Sequence, residues 1–262
     1  MRDGTAGGSR PPLTLLRESF SAVGARFHLV GLFTLSSLLV RFAVHWMGDD
    51  PDWILLFAAA VTLRFACAAG VFGLVFQAAT GGRESDSFVS WTARLLLPIF
   101  WVWVKILLVV FVPVGFAVNV YRVAIGSPTL PDRLIEIVFW SEPFLELAAL
   151  VLSLYSFPLC VLWRARGQRG PHLRAGWRVL RARPAESRPL LLLLVAVAAI
   201  EAAQQWTLGR EGYKTVPGYA EGLLELAGSC LVLVVFFGAT RVVLDRLAAE
   251  GPREAPAGAG GS

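Results

Sequence analysis

The chain has 262 residues, of which 56% are hydrophobic and 16% are charged, and its mean hydropathy is +0.62. Soluble domains have about 45–50% apolar and about 25% charged residues, so the composition excludes an ordinary soluble protein and indicates a membrane protein. The net charge of +5 does not predict nucleic-acid binding, because most of the arginines flank apolar segments in the pattern of membrane sidedness.

The chain begins with a polar tail, residues 1–12, that is rich in Gly and is predicted to be disordered. The stretch LTLLRESFSAVGARF follows, with apolar residues at helical spacing, and it predicts a short interfacial helix. Its apolar face comprises Leu16, Phe20, Val23 and Phe27, and its polar face includes Arg17 and Arg26.

Six later segments are long enough to cross a hydrocarbon core, which needs about 20 helical residues. They are continuous apolar runs, which predict helices rather than the alternating strands of a barrel. The predicted spans are residues 27–47, 53–79, 95–118, 143–163, 190–208 and 222–240. We therefore predict an all-α, polytopic integral membrane protein, with a membrane domain over residues 13–246 and a disordered tail over residues 247–262. Cys67, Cys160 and Cys230 lie within spans and are interpreted as small apolar residues rather than as a disulfide or metal site.

Two further amphipathic stretches precede the third and fifth spans. RESDSFVSWTAR places Phe88, Trp91 and Leu95 on one face and carries Arg94. LRAGWRVLRARPAESR places Leu173, Trp177 and Leu180 on one face, with Arg174, Arg178 and Arg181 nearby. The chain then consists of three copies of an interfacial helix followed by a transmembrane hairpin. The alternative is chance similarity between arginine-rich amphipathic segments.

Lysine and arginine residues predict the orientation. Seventeen of the 24 lie on one side of the predicted spans and four on the other, with three inside spans. Because positive residues are retained in the cytoplasm, both termini are predicted to be cytoplasmic. The arginines of the amphipathic stretches, Arg17, Arg94, Arg174, Arg178 and Arg181, could bind anionic lipid headgroups, or they could simply anchor the topology.

The segment from Leu173 to Ala198, LRAGWRVLRARPAESRPLLLLLVAVA, runs from an arginine-rich amphipathic stretch directly into an apolar hairpin. This layout resembles a group of uncharacterised bacterial six-helix membrane proteins related to the membrane domain of glycerophosphoryl diester phosphodiesterases. The resemblance implies a bacterial inner-membrane location. It implies no catalytic residues, because the phosphodiesterase chemistry of that family belongs to a separate soluble domain.

Charged residues inside the spans are the candidate functional residues, because a charge at the bilayer centre costs about 2.5–3.5 kcal/mol unless it is paired or hydrated. Arg64, Lys105 and Glu201 are predicted near the midplane, at about 1.5 Å of rise per residue. Glu146, Glu221 and Glu225 lie near helix starts, where interfacial capping is the simpler interpretation. The predicted intramembrane polar cluster comprises Arg41, His45, Arg64, Lys105, Glu201 and Gln204. Its excess of bases over one deep acid indicates either a hydrated site for an anion or one structural ion pair with the other bases reaching the interface.

The sequence contains no nucleotide-binding loop, zinc-protease motif or serine-hydrolase motif, so we expect a non-enzymatic protein without a metal or cofactor. The first functional hypothesis is that its basic cytoplasmic helices bind anionic headgroups or a membrane-protein partner. The second is a small carrier for an anionic or amphiphilic solute. Six spans are few for a carrier that acts as a monomer, so this function would require a homodimer. A membrane-embedded enzyme using Glu201 is a third and more remote possibility.

Overall fold

The computed structural model describes residues 11–47, 54–82, 86–125, 132–211 and 218–250, and the regular secondary structure within these ranges is entirely α-helical. This confirms the predicted all-α fold for the described residues. The helices are α1 (Pro12–Gly24), α2 (Phe27–Met47), α3 (Ile54–Thr80), α4 (Phe88–Ile125), α5 (Asp132–Ala165), α6 (His172–Ala182), α7 (Pro184–Glu211) and α8 (Tyr219–Glu250). Residues 1–10 and 251–262 of the predicted tails lie outside the described residues.

Five of the described helices, α2, α3, α4, α5 and α8, are long and apolar enough to cross a membrane. The predicted span over residues 190–208 lies within α7, which is not among the five. Large apolar side chains also point outward, such as Leu55, Phe116 and Leu192, which are 78%, 70% and 70% exposed. An apolar surface of this kind suits hydrocarbon better than water. The fold is therefore compatible with an integral membrane protein.

The second amphipathic stretch does not form a helix of its own. Residues 83–85 lie outside the described residues, and Phe88 begins α4, which continues without a break to Ile125. The predicted apolar face is nevertheless buried, because Trp91 and Leu95 are 4% and 0% exposed. The prediction of a separate interfacial helix before the third span is therefore wrong within the described residues, whereas α1 and α6 are separate helices.

The faces that α1 and α6 bury against the bundle coincide only in part with the apolar faces predicted from the sequence. In α1 the buried residues are Leu15, Ser19 and Val23, while Phe20 and Phe27 are 43% and 54% exposed. In α6 the buried residues are Gly176 and Val179, while Trp177 is 42% exposed. The small residues Ser19 and Gly176 let the helices approach closely at both places. The aromatic side chains Phe20, Phe27 and Trp177 are left on the outer surface.

Phe72 of α3 marks the centre of the bundle. Its ring lies 5.8 Å from Phe33 of α2, 5.7 Å from Phe157 of α5 and 4.4 Å from Phe236 of α8, measured between centroids. The α8 helix contacts α1, α2, α3, α5 and α7, and α5 contacts α3, α4, α6, α7 and α8, so these two helices are the most central of those described. The aromatic contacts thus join helices from all three predicted hairpins.

Close contacts of small residues hold the end of the bundle at which α1 and α6 lie, called here the α1–α6 end. A Cβ atom at Gly73 of α3 would lie 2.3 Å from Trp91 of α4, and one at Gly238 of α8 would lie 2.8 Å from Leu190 of α7 and 3.2 Å from Ser19 of α1. A Cβ atom at Gly176 of α6 would lie 3.0 Å from a side-chain atom of α5. The first segment of each predicted copy therefore packs against the second helix of a neighbouring hairpin, and α1 on α8 closes this ring.

Candidate functional site

Arg41 of α2 lies at the junction of α2, α7 and α8. Its Nε is 3.0 Å from Oε2 of Glu225, and its Nη2 donates a hydrogen bond of 2.5 Å to Oε1 of Gln204. Gln204 is 1% exposed, and its Nε2 donates to the backbone carbonyl of Glu221 at 3.4 Å. A charge in an apolar bundle requires a partner. Arg41 and Glu225 form such a pair, and both side chains are largely removed from water.

Arg64 of α3 lies deeper, against α2. Its Nη1 donates to the backbone carbonyl of Phe33 at 3.1 Å and to Oγ of Ser36 at 3.2 Å. The guanidinium carbon is 3.6 Å from the centroid of the Phe33 ring, which is a cation–π contact. Ser36 itself donates to the same carbonyl at 2.7 Å. Arg64 is thus held by neutral groups, and no carboxylate of the described residues forms an ion pair with it.

The carboxyl groups of Glu201 of α7 and Glu146 of α5 lie close enough to act on each other. Both residues are half-buried. The charges of Glu225 and Arg41 act on Glu201, and those of Glu142 and Arg41 act on Glu146. These side chains form one interacting group, called here the interior cluster: Arg41, Arg64, Glu146, Glu201, Gln204 and Glu225.

Two adjoining cavities meet at the interior cluster. The larger, called the central cavity, has a volume of about 360 Å³ and is lined by residues of α2, α3, α4, α5, α7 and α8. Its polar lining residues are Arg64, Ser153 and Glu201, and the others are apolar or aromatic. The smaller cavity, of about 80 Å³, includes Arg41 and Glu225 in its lining and shares Arg64 and Glu201 with the larger one. The bundle therefore contains an apolar chamber with a polar wall.

The structure changes the predicted membership of the cluster. Lys105 is exposed on α4 and lines neither cavity; its charge acts instead on Cys160 of α5 and on His172 of α6. The structure therefore does not bring Lys105 into the predicted cluster with Glu201, and its exposed side chain agrees with the alternative in which the other bases reach the interface. The side chain of His45 lies outside the described residues.

Two acids that the sequence pattern assigned to interfacial capping are members of the cluster. Glu225 pairs with Arg41, and the carboxyl group of Glu146 interacts with that of Glu201. Among the described residues the expected excess of positive charge is therefore not found, since two bases meet three acids in the interior cluster. A signal in the sequence could have pointed to both: the tetrapeptide Leu-Glu-Leu-Ala occurs in α5 at residues 145–148 and again in α8 at residues 224–227, with its glutamate inside the bundle each time.

The basic residues of the α1–α6 end face outward. Arg174, Arg178 and Arg181 of α6 are exposed, and the guanidinium carbon of Arg181 lies 5.0 Å from the centroid of the Trp177 ring. Arg17 is exposed on α1. Arg94 is exposed too, but it lies in the second turn of α4 and its Nη1 is 2.9 Å from Oδ2 of Asp86. The candidate headgroup-binding residues thus lie on α1, α4 and α6. Of these, only α1 and α6 are separate short helices.

His172 at the start of α6 does not add to this positive surface. Its ring lies 4.9 Å from that of Trp163, and burial, together with the charges of Lys105 and Arg164, lowers its pKa from 6.5 to about 4. The imidazole is therefore neutral near pH 7 and packs as part of the joint between α5 and α6.

Other interactions at this end join helices without offering a site. Tyr155 and Ser187 share a hydrogen bond of 2.7 Å between their hydroxyl groups, and Arg241 donates to the carbonyl of Ala79 at 2.8 Å. All three cysteines are free, and within the described residues no group of three metal-ligating side chains occurs.

Comparison of this chain with protein-family models, curated proteins and solved structures gives no match. The resemblance of the segment over residues 173–198 to the six-helix proteins described above therefore remains a prediction.

Proposed function

We propose that this is a six-span membrane protein with both termini in the cytoplasm, whose basic α6 helix binds anionic lipid headgroups. The six spans are α2, α3, α4, α5, α7 and α8, and α1 and α6 lie at the cytoplasmic interface. Positive residues support this orientation, because they concentrate at the α1–α6 end. The location that follows, from the resemblance, is a bacterial inner membrane.

One observation carries the proposal. Helix α6 buries Gly176 and Val179 against α5 and leaves Arg174, Arg178 and Arg181 exposed beside Trp177. A row of guanidinium groups next to an exposed indole suits the headgroup level of a membrane. There the indole ring can contact the apolar part of the lipid, and the guanidinium groups can contact the phosphates. Each arginine near an anionic surface contributes about 1 kcal/mol. No enzymatic step is part of this function.

The test replaces Arg174, Arg178 and Arg181 together by glutamine and measures the preference of the nanodisc-embedded protein for spin-labelled phosphatidylglycerol over phosphatidylcholine. The preference is expected to fall, by at most about 3 kcal/mol for the three charges together. The matched control is Arg122→Gln, because Arg122 lies in the last turn of α4, at the opposite end of the bundle. An unchanged lipid preference in the triple variant would contradict the proposal and would favour a role in topology alone.

A second candidate function is suggested by the central cavity. Its volume of about 360 Å³ falls in the range of roughly 300–1,000 Å³ found for ligand pockets, and its lining is apolar apart from a few convergent polar groups. An amphiphile would place its apolar part among the aromatic side chains and its polar part at Arg64 and Glu201. Binding of such a molecule would make the protein a carrier or sensor of amphiphiles. Ser153→Trp would fill part of the cavity with a large side chain. A fluorescent amphiphile that binds the wild-type protein but not this variant would support the second function.

A further inference from the structure

We propose that the bundle interior binds a neutral single-chain lipid whose headgroup carries hydroxyl groups, as in a monoacylglycerol. The acyl chain lies in the central cavity and the headgroup lies in the smaller cavity beside it. This inference rests on the second candidate function, the binding of an amphiphile in the central cavity. It adds the number of chains and the chemical class of the headgroup.

The two cavities differ in character and meet at the same two side chains. The central cavity is apolar apart from Arg64, Ser153 and Glu201. The smaller one, called here the polar cavity, has a volume of about 80 Å³, and more than half of its lining residues are polar or charged. Arg64 and Glu201 line both. An apolar space joined to a small polar space matches the chain and the headgroup of one amphiphile.

The size of the central cavity suits one chain. Its volume of about 360 Å³ corresponds to roughly a dozen groups of the size of a water molecule, at about 30 Å³ each. A methylene group is of similar size, so the cavity accommodates one acyl chain and not the two chains of a phospholipid.

The half of the bundle remote from the α1–α6 end is loosely packed. Helix α4 buries one residue in each turn over residues 91–110, but none of its residues 111–124 is buried. In α3, residues 67–73 are all buried, whereas only one of residues 54–66 is buried. A lipid chain can therefore reach the cavity from this half without separating the close helix contacts at the α1–α6 end.

Arg64 and Glu201 line the same cavities, yet no ion pair joins them among the described residues. Nη1 of Arg64 is occupied by the carbonyl of Phe33 and by Ser36, while its Nε and Nη2 form no hydrogen bond within the described part of the chain. A guanidinium group only donates hydrogen bonds, and a carboxylate only accepts them. A hydroxyl group does both, so a headgroup with hydroxyl groups can accept from Arg64 and donate to Glu201.

Ser229 of α8 brings a further hydroxyl group to the polar cavity. The residue is 3% exposed and lines this cavity, but its hydroxyl forms no hydrogen bond with the residues that the structure describes. The buried serines Ser19 and Ser156 differ, because each donates to a carbonyl of its own helix, at 2.7 and 2.6 Å. Buried polar groups are normally hydrogen-bonded, so the Ser229 hydroxyl calls for a polar partner inside the cavity. A hydroxyl group of the ligand supplies that partner.

The charges around the polar cavity favour a neutral headgroup. A fatty acid would bring its carboxylate beside Glu201, and an alkylamine would bring its ammonium group beside Arg64. Each would gain one attraction but would also meet a like charge, and its own charge would have to leave water. Arg41 and Glu225 also line this cavity and already pair at 3.0 Å, so a charged headgroup would compete with that pair.

The experiment uses the full chain in phosphatidylcholine nanodiscs and a monoacylglycerol that carries a photoreactive diazirine in its chain. Mass spectrometry identifies the labelled residues, which are expected to line the central cavity. Four unlabelled competitors share a twelve-carbon chain: monododecanoylglycerol, methyl dodecanoate, dodecanoic acid and dodecylamine. They are compared at equal mole fraction in the bilayer, at a pH where the acid is ionised and the amine is protonated.

We expect monododecanoylglycerol to compete about tenfold or more better than each of the other three. The methyl ester is neutral but has no hydroxyl group, and a site that hydrogen-bonds a hydroxyl rejects the analogue that lacks it. The acid and the amine test the two signs of charge. This ranking on the wild-type protein tests the proposal without any substitution.

Two variants locate the headgroup. Ser229→Ala removes one hydrogen bond to the headgroup, so the affinity for monododecanoylglycerol should fall about two- to tenfold while that for methyl dodecanoate stays the same. The matched control is Ser19→Ala, because Ser19 is a buried helical serine at the α1–α6 end. Glu201→Leu should remove the advantage of monododecanoylglycerol over the methyl ester. If Glu201→Leu does not fold, Ser229→Ala and the ranking of the competitors provide the same test.

The other outcomes would overturn the proposal. Equal competition by monododecanoylglycerol and methyl dodecanoate, or an unchanged ratio between them in Ser229→Ala, contradicts the hydroxyl headgroup and leaves the cavity as a general amphiphile site. Tighter binding of dodecanoic acid or of dodecylamine contradicts the neutral headgroup. If the photoreactive probe labels no residue of the central cavity and none of the competitors binds, the second candidate function fails as well.

Discussion

Arg41 and Arg174 are both arginines next to an apolar bundle, but their surroundings differ. Arg41 has 29% of its side chain exposed and contacts Glu225 and Gln204 from two other helices. Arg174 is exposed on α6, where the contact with the bundle is made by small residues such as Gly176. A charge turned inward needs partners, while one turned toward water or headgroups needs none.

The difference predicts where substitutions affect folding and where they affect only binding. Removing a charge from the interior cluster leaves its partner uncompensated in an apolar environment. Removing a charge from the outer face of α6 leaves solvated neighbours, so stability should change by no more than about 0.5 kcal/mol. The predictions below test this contrast, from the largest expected effect to the smallest.

Arg41→Leu is expected to have the largest effect, because Glu225 then loses its ion pair and Gln204 its hydrogen bond. Breaking a fully buried pair costs about 3–5 kcal/mol, and the partial exposure of Arg41 reduces the expected loss to about 2–4 kcal/mol. Unfolding of the purified protein in mixed detergent measures it. The double variant Arg41→Leu with Glu225→Leu should be more stable than Arg41→Leu alone, and strictly additive effects would argue against the pair.

Gly73→Ala tests the other kind of contact, at the α1–α6 end. A Cβ atom there would lie 2.3 Å from the Trp91 side chain, and we expect overpacking to cost about 1–3 kcal/mol. Gly115→Ala in α4 is the matched control, because nothing lies within 4 Å of its added Cβ atom. In that exposed helical position alanine should stabilise by up to about 1 kcal/mol. Equal melting temperatures for the two variants would contradict the close contact.

The pH dependence of His172 has the smallest expected effect. Its pKa of about 4 in the folded protein lies below the usual 6.5, so the unfolded chain binds a proton first as the pH falls. Stability from this group is complete above pH 6.5, is lost between pH 6.5 and pH 4, and does not change below that range. At pH 5 the loss is on the order of 1–2 kcal/mol. His172→Gln should show a smaller fall in melting temperature from pH 7.5 to pH 5 than the wild type, and an equal fall would contradict the assignment.

Particular residues show what periodicity and composition can predict. The apolar runs predicted helices at residues 27–47, 53–79 and 222–240, and α2, α3 and α8 contain nearly all of these residues. Helix faces were less predictable: the large residues Phe20 and Trp177 marked apolar faces of α1 and α6, but they did not show that Ser19 and Gly176 would face the bundle. In a membrane a large apolar side chain can face lipid, so apolar character alone does not identify the inner face.

The candidate site could be predicted in part. Arg41, Arg64, Glu201 and Gln204 were predicted to be polar groups inside the bundle, and the structure brings them together. Glu146 and Glu225 were missed because each lies near the start of a predicted span, where capping explains an acid equally well. Lys105 was assigned to the cluster because its depth was taken from its place along the span, which does not specify the helix face, and its side chain is exposed on α4.

The sequence by itself determined the class of the molecule, because an apolar run of sufficient length has one stable solution in hydrocarbon, a helix with all its backbone groups paired. It also determined the asymmetry of positive charge on which the proposed orientation rests. Only the tertiary structure decided which charges compensate one another. That choice depends on helix rotation and neighbours: Glu225 of α8 meets Arg41 of α2 across a separation of 184 residues, and no local pattern in the chain encodes the distance between them.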